Sequence, residues 1–152
     1  MKTAGLVGGM GFDKISEYFR SAGVDAIIMD PMRVFGTVHI TSSMEHAQRS
    51  FANGTNRSKT VITEFLLYMA GERQISKALA VMKPKNNGSV VIVFPDGADD
   101  AVIAGLGMEL DDTVIAGTDE KAEAIGLSKN GLNVSYDDLV LEMVAMVDVM
   151  KN

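Results

Sequence analysis

The stretch SSMEHAQRSFANGTNRSKTVITEFLLYMAGERQISKALAVMK, residues 42–83, decides the fold of this chain. It holds three consecutive patterns in which apolar residues recur at the spacing of an α-helix. Asn53-Gly54 separates the first pattern from the second and Gly71 the second from the third, since these residues tolerate the positive φ that ends a helix. Pro84 stops the third pattern, because it disfavours the helical conformation for its predecessor. The stretch therefore predicts an array of three helices.

The start of the first helix is predicted from a capping box. Ser42 and Glu45 have the S-x-x-E spacing in which a hydroxyl and a carboxylate satisfy the free amides of a helix start, so the helix is predicted to begin near Ser43. Residues 37–41 alternate in polarity and are predicted to form a strand that leads into this helix.

Two cations mark the second helix. Thr55 or Asn56 is suited to be its N-cap, which places Arg57 and Lys59 in the first turn, where the helix dipole disfavours positive charge. Free amides together with two cations are typical of a phosphate site. The alternative is that both side chains extend into water at little cost, and the sequence leaves both interpretations open.

The remaining chain predicts strands and further helices. Strands are expected at residues 4–8, 24–29, 89–94, 113–115 and 131–134, and helices around residues 15–19, 96–106, 119–125 and 139–150. At 152 residues the chain is predicted to be one domain, 1–152. The predicted fold class is α/β (α+β), with a small mixed or antiparallel sheet, helices packed on it and a central three-helix array.

The final predicted helix is unusually apolar. Ser135 and Asp138 repeat the capping-box spacing at its start. Its apolar arc is wider than the roughly 100° that a surface helix needs to cover its own core, so the helix is either buried all round or shared with a partner. Full burial is difficult in a chain of this size, which favours a partner. The predicted partner-binding residues are Ile103, Leu106, Met143, Met146, Val147, Val149 and Met150.

Composition narrows the function classes. The chain has no cysteine, which excludes a thiol nucleophile and a thiolate metal site, and its two histidines, His39 and His46, lack the spacing of a helical zinc pair. No catalytic group, metal or cofactor is predicted. No apolar run has transmembrane length and the N-terminus lacks the order of a signal peptide, so a cytoplasmic protein without a membrane partner is expected.

Charge is distributed unevenly along the chain. The formal net charge is -6, which by itself opposes the approach of a polyanion. Residues 46–85 nevertheless carry seven Lys or Arg against two Glu, a net charge of +5, whereas residues 96–123 carry nine acids against one Lys, a net charge of -8. The asymmetry indicates one side that faces anions, although a charge run is most often a solvated surface.

A glycine-rich turn follows the first predicted strand. GLVGGMG, residues 5–11, has neither the GxGxxG order of a dinucleotide site nor the lysine of a P-loop, so a simple turn between strand and helix is favoured. The alternative function that stays open is a small nucleotide- or ligand-binding enzyme that uses Gly8–Gly11.

The run HAQRSFANGTNRSKTVITEFLLYMAGERQISKA, residues 46–78, resembles the signature of the PRPK-binding (TPRKB-type) subunit of the KEOPS/EKC complex. The resemblance implies a non-catalytic subunit that binds the kinase-like ATPase of that complex directly and its other subunits indirectly. It implies a role in placing a threonylcarbamoyl group on the adenosine beside the tRNA anticodon. Resemblance to the archaeal members further implies that the subunit holds the tRNA 3′ CCA end.

The resemblance and the charge distribution together predict a tRNA site. Single-stranded ends are held by cations on phosphates and by bases stacked on planar side chains. Arg57, Lys59, Arg73 and the nearby Tyr68 offer such groups. For Glu64 and Tyr68, four residues apart on one helix, a structural role is nevertheless favoured, as a hydrogen-bonded brace or core edge. The predicted tRNA-binding residues are Asn56, Arg57, Lys59, Thr63, Arg73 and Lys77.

Overall fold

The computed structural model describes residues 1–151, and these confirm the predicted α/β fold class. In chain order the elements are β1 (Lys2–Val7), α1 (Phe12–Ser21), β2 (Ile27–Met29), α2 (Gly36–Asn53), α3 (Val61–Ala70), α4 (Ile75–Met82), β3 (Ser89–Phe94), α5 (Asp100–Ala104), β4 (Glu109–Leu110), α6 (Asp119–Ile125) and α7 (Tyr136–Met150). Short 3-10 helices lie at Pro31–Arg33 and Asp112–Val114.

The chain divides into two units. Residues 1–31 and 83–116 form the first, called here the sheet unit, and residues 32–82 with the chain from Gly117 onward form the second, the helical unit. The single domain expected over 1–152 includes Asn152, which lies outside the described residues, and it stays a prediction. Among residues 1–151 there is no helix with the length and apolarity needed to span a bilayer.

The sheet unit is built on four antiparallel strands in the order β2-β3-β1-β4. Its central strand β3 is buried from Val90 to Phe94, as expected of the most β-branched segment in the sequence. Helices α1 and α5 cover the sheet through Ile15, Phe19 and Ile103. The ring of Phe19 meets that of Phe94 edge-on, with centroids 5.1 Å apart, so an apolar core holds this unit together.

The helical unit contains the predicted array, in which α2 packs on α3 and α3 on α4. The predicted ends are confirmed, because Gly54 and Gly71 take positive φ values of 69° and 65° at the C-termini of α2 and α3. Helix α7 packs on both α2 and α3. As a result α3 is buried on nearly all sides, from Glu64 to Met69.

The predicted start of α2 is wrong. The helix begins at Gly36, so residues 37–41 are helical rather than a strand, and Ser43 lies inside the helix. The buried stripe of α2 contains polar members, His39 and Ser43, which a pattern of apolar residues does not count. The amide of Phe35 donates to His39 Nδ1 at 3.0 Å, and this bond satisfies a donor at the true helix start.

His39 also joins α2 to α3. Its Nε2 donates to the carbonyl of Met69 at 3.0 Å, which fixes the neutral tautomer that accepts at Nδ1. Burial lowers the pKa of His39 to about 4, an effect to which the nearby Lys121 ammonium adds. The Lys121 ammonium itself donates to the carbonyl of Val34 at 3.0 Å.

Three predicted elements of the C-terminal half differ from the structure. Residues 113–115 lie in and after a 3-10 helix instead of a strand, because the Asp111 carboxylate accepts from the Thr113 amide at 3.1 Å and caps it. Residues 131–134 form no strand, since Asn130 and Gly131 take φ values of 49° and 77° and turn the chain. The predicted helix 96–106 shortens to α5.

Candidate functional site

The C-terminal end of α7 is held by a buried ammonium group. Lys151, the residue after the helix, is 7% exposed and donates to Ser50 Oγ at 2.8 Å, Glu64 Oε2 at 2.6 Å and Tyr68 Oη at 2.8 Å. These three acceptors use all the hydrogens of the ammonium. They belong to α2 and α3, so one side chain ties three helices together.

The carboxylate of Glu64 completes this arrangement. Its Oε1 accepts from the backbone amides of Arg57 and Ser58, each at 3.0 Å. The Arg57 guanidinium donates to the carbonyl of Lys151, from Nη2 at 2.6 Å and from Nε at 3.2 Å. We call the Glu64–Lys151 pair the anchor. The loop before α3 contacts both of its residues: the amides of the loop bind the Glu64 carboxylate, and Arg57 binds the Lys151 carbonyl at the helix end.

The ion pair is charged at neutral pH. Burial disfavours the Lys151 ammonium, but the hydrogen bonds and charges of Glu64 and Tyr68 favour it more, so the pKa of Lys151 lies above its ordinary value. Burial likewise opposes the charge on Glu64, and the bonds from Lys151, Ser58 and Arg57 hold the pKa of its carboxyl below its ordinary range.

A second carboxylate of α7 is anchored beside the first pair. Tyr68 donates its hydroxyl hydrogen to Asp148 Oδ1, and Asp148 Oδ2 lies 2.7 Å from His46 Nδ1. Burial and the bond to Asp148 raise the pKa of Tyr68, so its phenol keeps its proton. A cavity of about 170 Å³ opens beside these groups; its lining residues are His46, Arg49, Ser50, Asn53, Thr55, Asp148 and Lys151.

The chemistry of this cluster is that of an anchor. Ser50 and Lys151 have the spacing of a serine–lysine pair, in which a neutral amine removes the hydroxyl proton. Here the amine is an ammonium with three acceptors, and it has no lone pair with which to act as a base. Among residues 1–151, no group of three or more His, Asp or Glu side chains has the arrangement of a metal site.

Helix α7 has two different faces. Its buried face consists of Val140, Val144 and Val147 and ends in Lys151. On the opposite face, exposed residues recur at i, i+3, i+4 and i+7, a spacing that places them in one stripe along a helix. We call its apolar part, Ala145, Met146 and Val149, the exposed stripe; Met146 is 44% and Val149 64% exposed.

A groove adjoins the exposed stripe. Its volume is about 290 Å³, and it lies between α7 and the segment that follows α6. Met146 belongs to both the groove and the stripe, so the two are continuous. The groove is lined by Ile125, Gly126, Leu127, Ser128, Leu139, Glu142, Met143 and Met146.

The predicted partner-binding residues are placed differently from one another. Met146 and Val149 are exposed on the stripe, and Met143 and Met150 are half-buried beside it. Val147 is fully buried, because it belongs to the opposite face of α7. Ile103 and Leu106 are 3% and 5% exposed in the apolar core of the sheet unit, so they cover the sheet instead of standing on a surface.

The premise of two cations in the first turn of α3 is wrong. The N-cap is Thr60, whose hydroxyl accepts from the Thr63 amide at 3.2 Å, so Arg57 and Lys59 precede the helix. The amides of Arg57 and Ser58, which the phosphate interpretation needs, contact the carboxylate of Glu64. An internal carboxylate therefore takes the place of the expected anion.

The predicted tRNA-binding residues separate into two sets. Asn56 donates to the carbonyl of Ser58, and Arg57 and Thr63 also make internal hydrogen bonds. The others, Lys59, Arg73 and Lys77, are exposed and bond to no other side chain or backbone group of residues 1–151. Lys59 precedes α3 and Arg73 follows it, so the length of this helix, about 15 Å, separates them.

The glycine turn between β1 and α1 is confirmed, and it borders a cavity of its own. This cavity has a volume of about 440 Å³. Three lysines and two asparagines face it together with the turn, and Lys83 Nζ lies 5.0 Å from the Phe12 ring centre. The full lining is Gly9, Gly11, Phe12, Asp13, Lys14, Lys83, Pro84, Lys85, Asn86 and Asn87.

The sequence predicts part of the anchor. The structural role predicted for Glu64 and Tyr68 is confirmed, since both are fully buried and hydrogen-bonded, and Lys151 joins them to each other. Lys151 itself was missed, because nothing in a single lysine beyond a helix indicates a partner 87 residues earlier. A weak signal exists, in that Lys151 continues the Val140, Val144, Val147 stripe at helical spacing.

Comparison with known families gives one result for nearly the whole chain. A family model described as kinase binding protein CGI-121 matches residues 13–148. This range includes α2, α3 and nearly all of α7. A search of curated proteins finds no match.

Proposed function

The chain belongs to the CGI-121 family of kinase binding proteins, and from this premise we propose that it is the non-catalytic subunit of a KEOPS-type complex. In this role it binds the kinase-like ATPase subunit directly. It also helps to recruit tRNA, through the 3′ CCA end, for threonylcarbamoylation beside the anticodon. The resemblance of residues 46–78 to the TPRKB-type subunit supports this assignment.

The exposed stripe is the observation that carries the kinase proposal. Soluble proteins seldom expose a contiguous apolar patch unless it meets a partner, and Met146 and Val149 lie together on one exposed helix stripe beside a groove. Methionine suits such a surface, because its flexible side chain adapts to the shape of the partner. We propose that the kinase-like subunit covers the stripe and the groove.

Charge on the stripe tests this proposal. Met146→Glu and Val149→Arg place a charge in a surface that the complex would remove from water. We expect each to abolish co-elution with the kinase-like subunit in gel filtration, while the circular dichroism spectrum and melting temperature stay close to wild type.

Leu110→Glu is the matched control for these variants. Leu110 is 70% exposed, on β4 of the sheet unit, and so carries an equally accessible apolar side chain outside the stripe. It should leave the complex intact. If the stripe variants co-elute as well as this control does, the stripe is not the kinase surface.

The exposed cations support the RNA part of the proposal. Lys59, Arg73 and Lys77 are free to contact phosphates, and they lie within the segment of net charge +5. Because the whole chain has a net charge of -6, we propose that binding by the isolated subunit is modest and directed to the single-stranded end.

Charge reversal at these cations tests RNA binding. Lys59→Glu and Arg73→Glu should each weaken the binding of intact tRNA, and each lost contact should lower the slope of log K against log salt by about 0.7. Trimming the terminal CCA from the tRNA should weaken binding by the wild-type protein more than it weakens binding by either variant. Arg20→Glu, at an exposed cation in the sheet unit, is the control. Equal affinities for all variants and both tRNAs would remove RNA from the proposal.

A second candidate function rests on the lysine-lined cavity beside the glycine turn. A nucleotide-binding role would use its three cations on phosphates. Gly9→Val tests it cleanly, because a Cβ at Gly9 meets no atom within 4 Å and the variant should fold. Binding of ATP by the isolated chain that is lost in Gly9→Val would favour this candidate over the adaptor.

A further inference from the structure

Helix α7 combines directional bonds with non-directional packing. Val140, Val144 and Val147 hold its buried face by apolar contact, which tolerates small rotations of a helix. Asp148 and Lys151 make hydrogen bonds, whose strength depends on distance and angle. The bonds therefore define the rotation and the axial position of the last turn more narrowly than the valines do.

The bonded residues and the exposed stripe share the same turns. Asp148 and Lys151 flank Val149, and Asp148 lies two residues after Met146. The two anchors contact four positions on α2 and α3: His46, Ser50, Glu64 and Tyr68. At the same end, Arg57 satisfies the Lys151 carbonyl, one of the groups that a helix terminus leaves without a partner.

We propose that Asp148 and Lys151 are positioning residues for the partner, and this inference rests on the proposed kinase-binding function. They hold the last turn of α7 in the orientation that presents Met146 and Val149 together. Lys151 is buried and lies on the face opposite the stripe, so it acts through the helix and not by contact. Without the anchors the last turn is mobile, and the partner must order it on binding, which lowers affinity.

The first test removes the anchor without leaving a lone buried charge. In the full chain, the double variant Glu64→Gln with Lys151→Met replaces the ion pair by neutral groups of similar size. We expect an approximately tenfold rise in Kd for the kinase-like subunit, and faster amide hydrogen exchange in the last turn of α7. Asp138→Ala, in the first turn of α7, is the control and should change neither result.

A double-mutant cycle separates positioning from general stability. Val149→Ala is measured in wild type and in Asp148→Ala, with the kinase-like subunit as ligand. Positioning predicts that the fold-change caused by Val149→Ala becomes smaller when Asp148 is absent, because the turn no longer presents Val149. Equal fold-changes in the two backgrounds would overturn the inference, as would wild-type affinity in the folded Glu64→Gln, Lys151→Met variant. Failure of wild type to bind would instead reject the proposed function.

Discussion

The sheet unit and the helical unit are stabilised by different chemistry. The core of the sheet unit is apolar, with Asp30 as its buried polar side chain among the described residues. Within residues 32–82 and 117–151, the helical unit buries seven polar or charged side chains: His39, Ser43, Ser50, Ser58, Glu64, Lys121 and Lys151. Most of these make hydrogen bonds between helices, as with His39 to Met69 and Lys151 to Glu64.

The difference shows where each unit is sensitive. Apolar contacts are many and individually weak. A core substitution in the sheet unit should therefore lower the free energy of unfolding in proportion to the side-chain volume that it removes. A buried polar group is sensitive to its partner, because loss of the partner leaves the group desolvated and unpaired. The helical unit should therefore respond strongly to substitutions and to pH changes that the sheet unit tolerates.

The largest effect is expected at Lys151. Lys151→Met leaves the Glu64 carboxylate buried without its cation, and removal of one member of a buried pair costs about 3–5 kcal/mol. Urea unfolding of the full chain measures this loss. Lys77→Met, at an exposed lysine, should change the unfolding free energy by less than about 0.5 kcal/mol. A similar small change at Lys151 would mean that the anchor contributes little.

Acid should weaken the helical unit through His39. The folded-state pKa of about 4 lies below the ordinary value of 6.5, so the unfolded chain binds a proton first as pH falls. The unfolding free energy should drop by about 2 kcal/mol between pH 6.5 and 4.5. Glu64, whose ordinary pKa is 4.5 and whose folded-state pKa is lower, adds to this loss as the pH approaches 4.5.

His39→Gln isolates this contribution. The variant is expected to be less stable than wild type at pH 7, because a glutamine side chain would not reproduce both bonds of the imidazole. Its stability should fall less steeply than that of wild type over the same pH window. Parallel pH profiles for the two proteins would show that His39 does not titrate with the shifted pKa.

The smallest effect is expected in the sheet unit. Ile92 on β3 is fully buried among apolar neighbours, and Ile92→Val removes one methylene at a cost of about 0.5–1.5 kcal/mol. The pH profile should keep the wild-type slope, since no titratable group is disturbed. Chemical unfolding at pH 7 and pH 5 measures both quantities. A changed slope of the unfolding free energy against pH would contradict the expected difference between the two units.

The sequence alone predicted those elements that depend on neighbours along the chain. Strand β3, the α6 range and the helix ends at Gly54 and Gly71 were predicted correctly, because β-branched runs and glycines at positive φ act locally. The wide apolar arc of α7 was predicted from the sequence for the same reason. A helix of 15 residues shows its excess of apolar side chains whatever it packs against.

Tertiary structure alone decided the start of α2, the position of Arg57 and the role of Lys151. Each depends on a polar bond between distant segments, such as His39 to Met69 across 30 residues or Lys151 to Ser50 across 101. A polar residue in a sequence predicts exposure, since burial without a partner is unfavourable. Only the fold brings the partner into place, and with it the reason why these side chains are inside and Met146 and Val149 are outside.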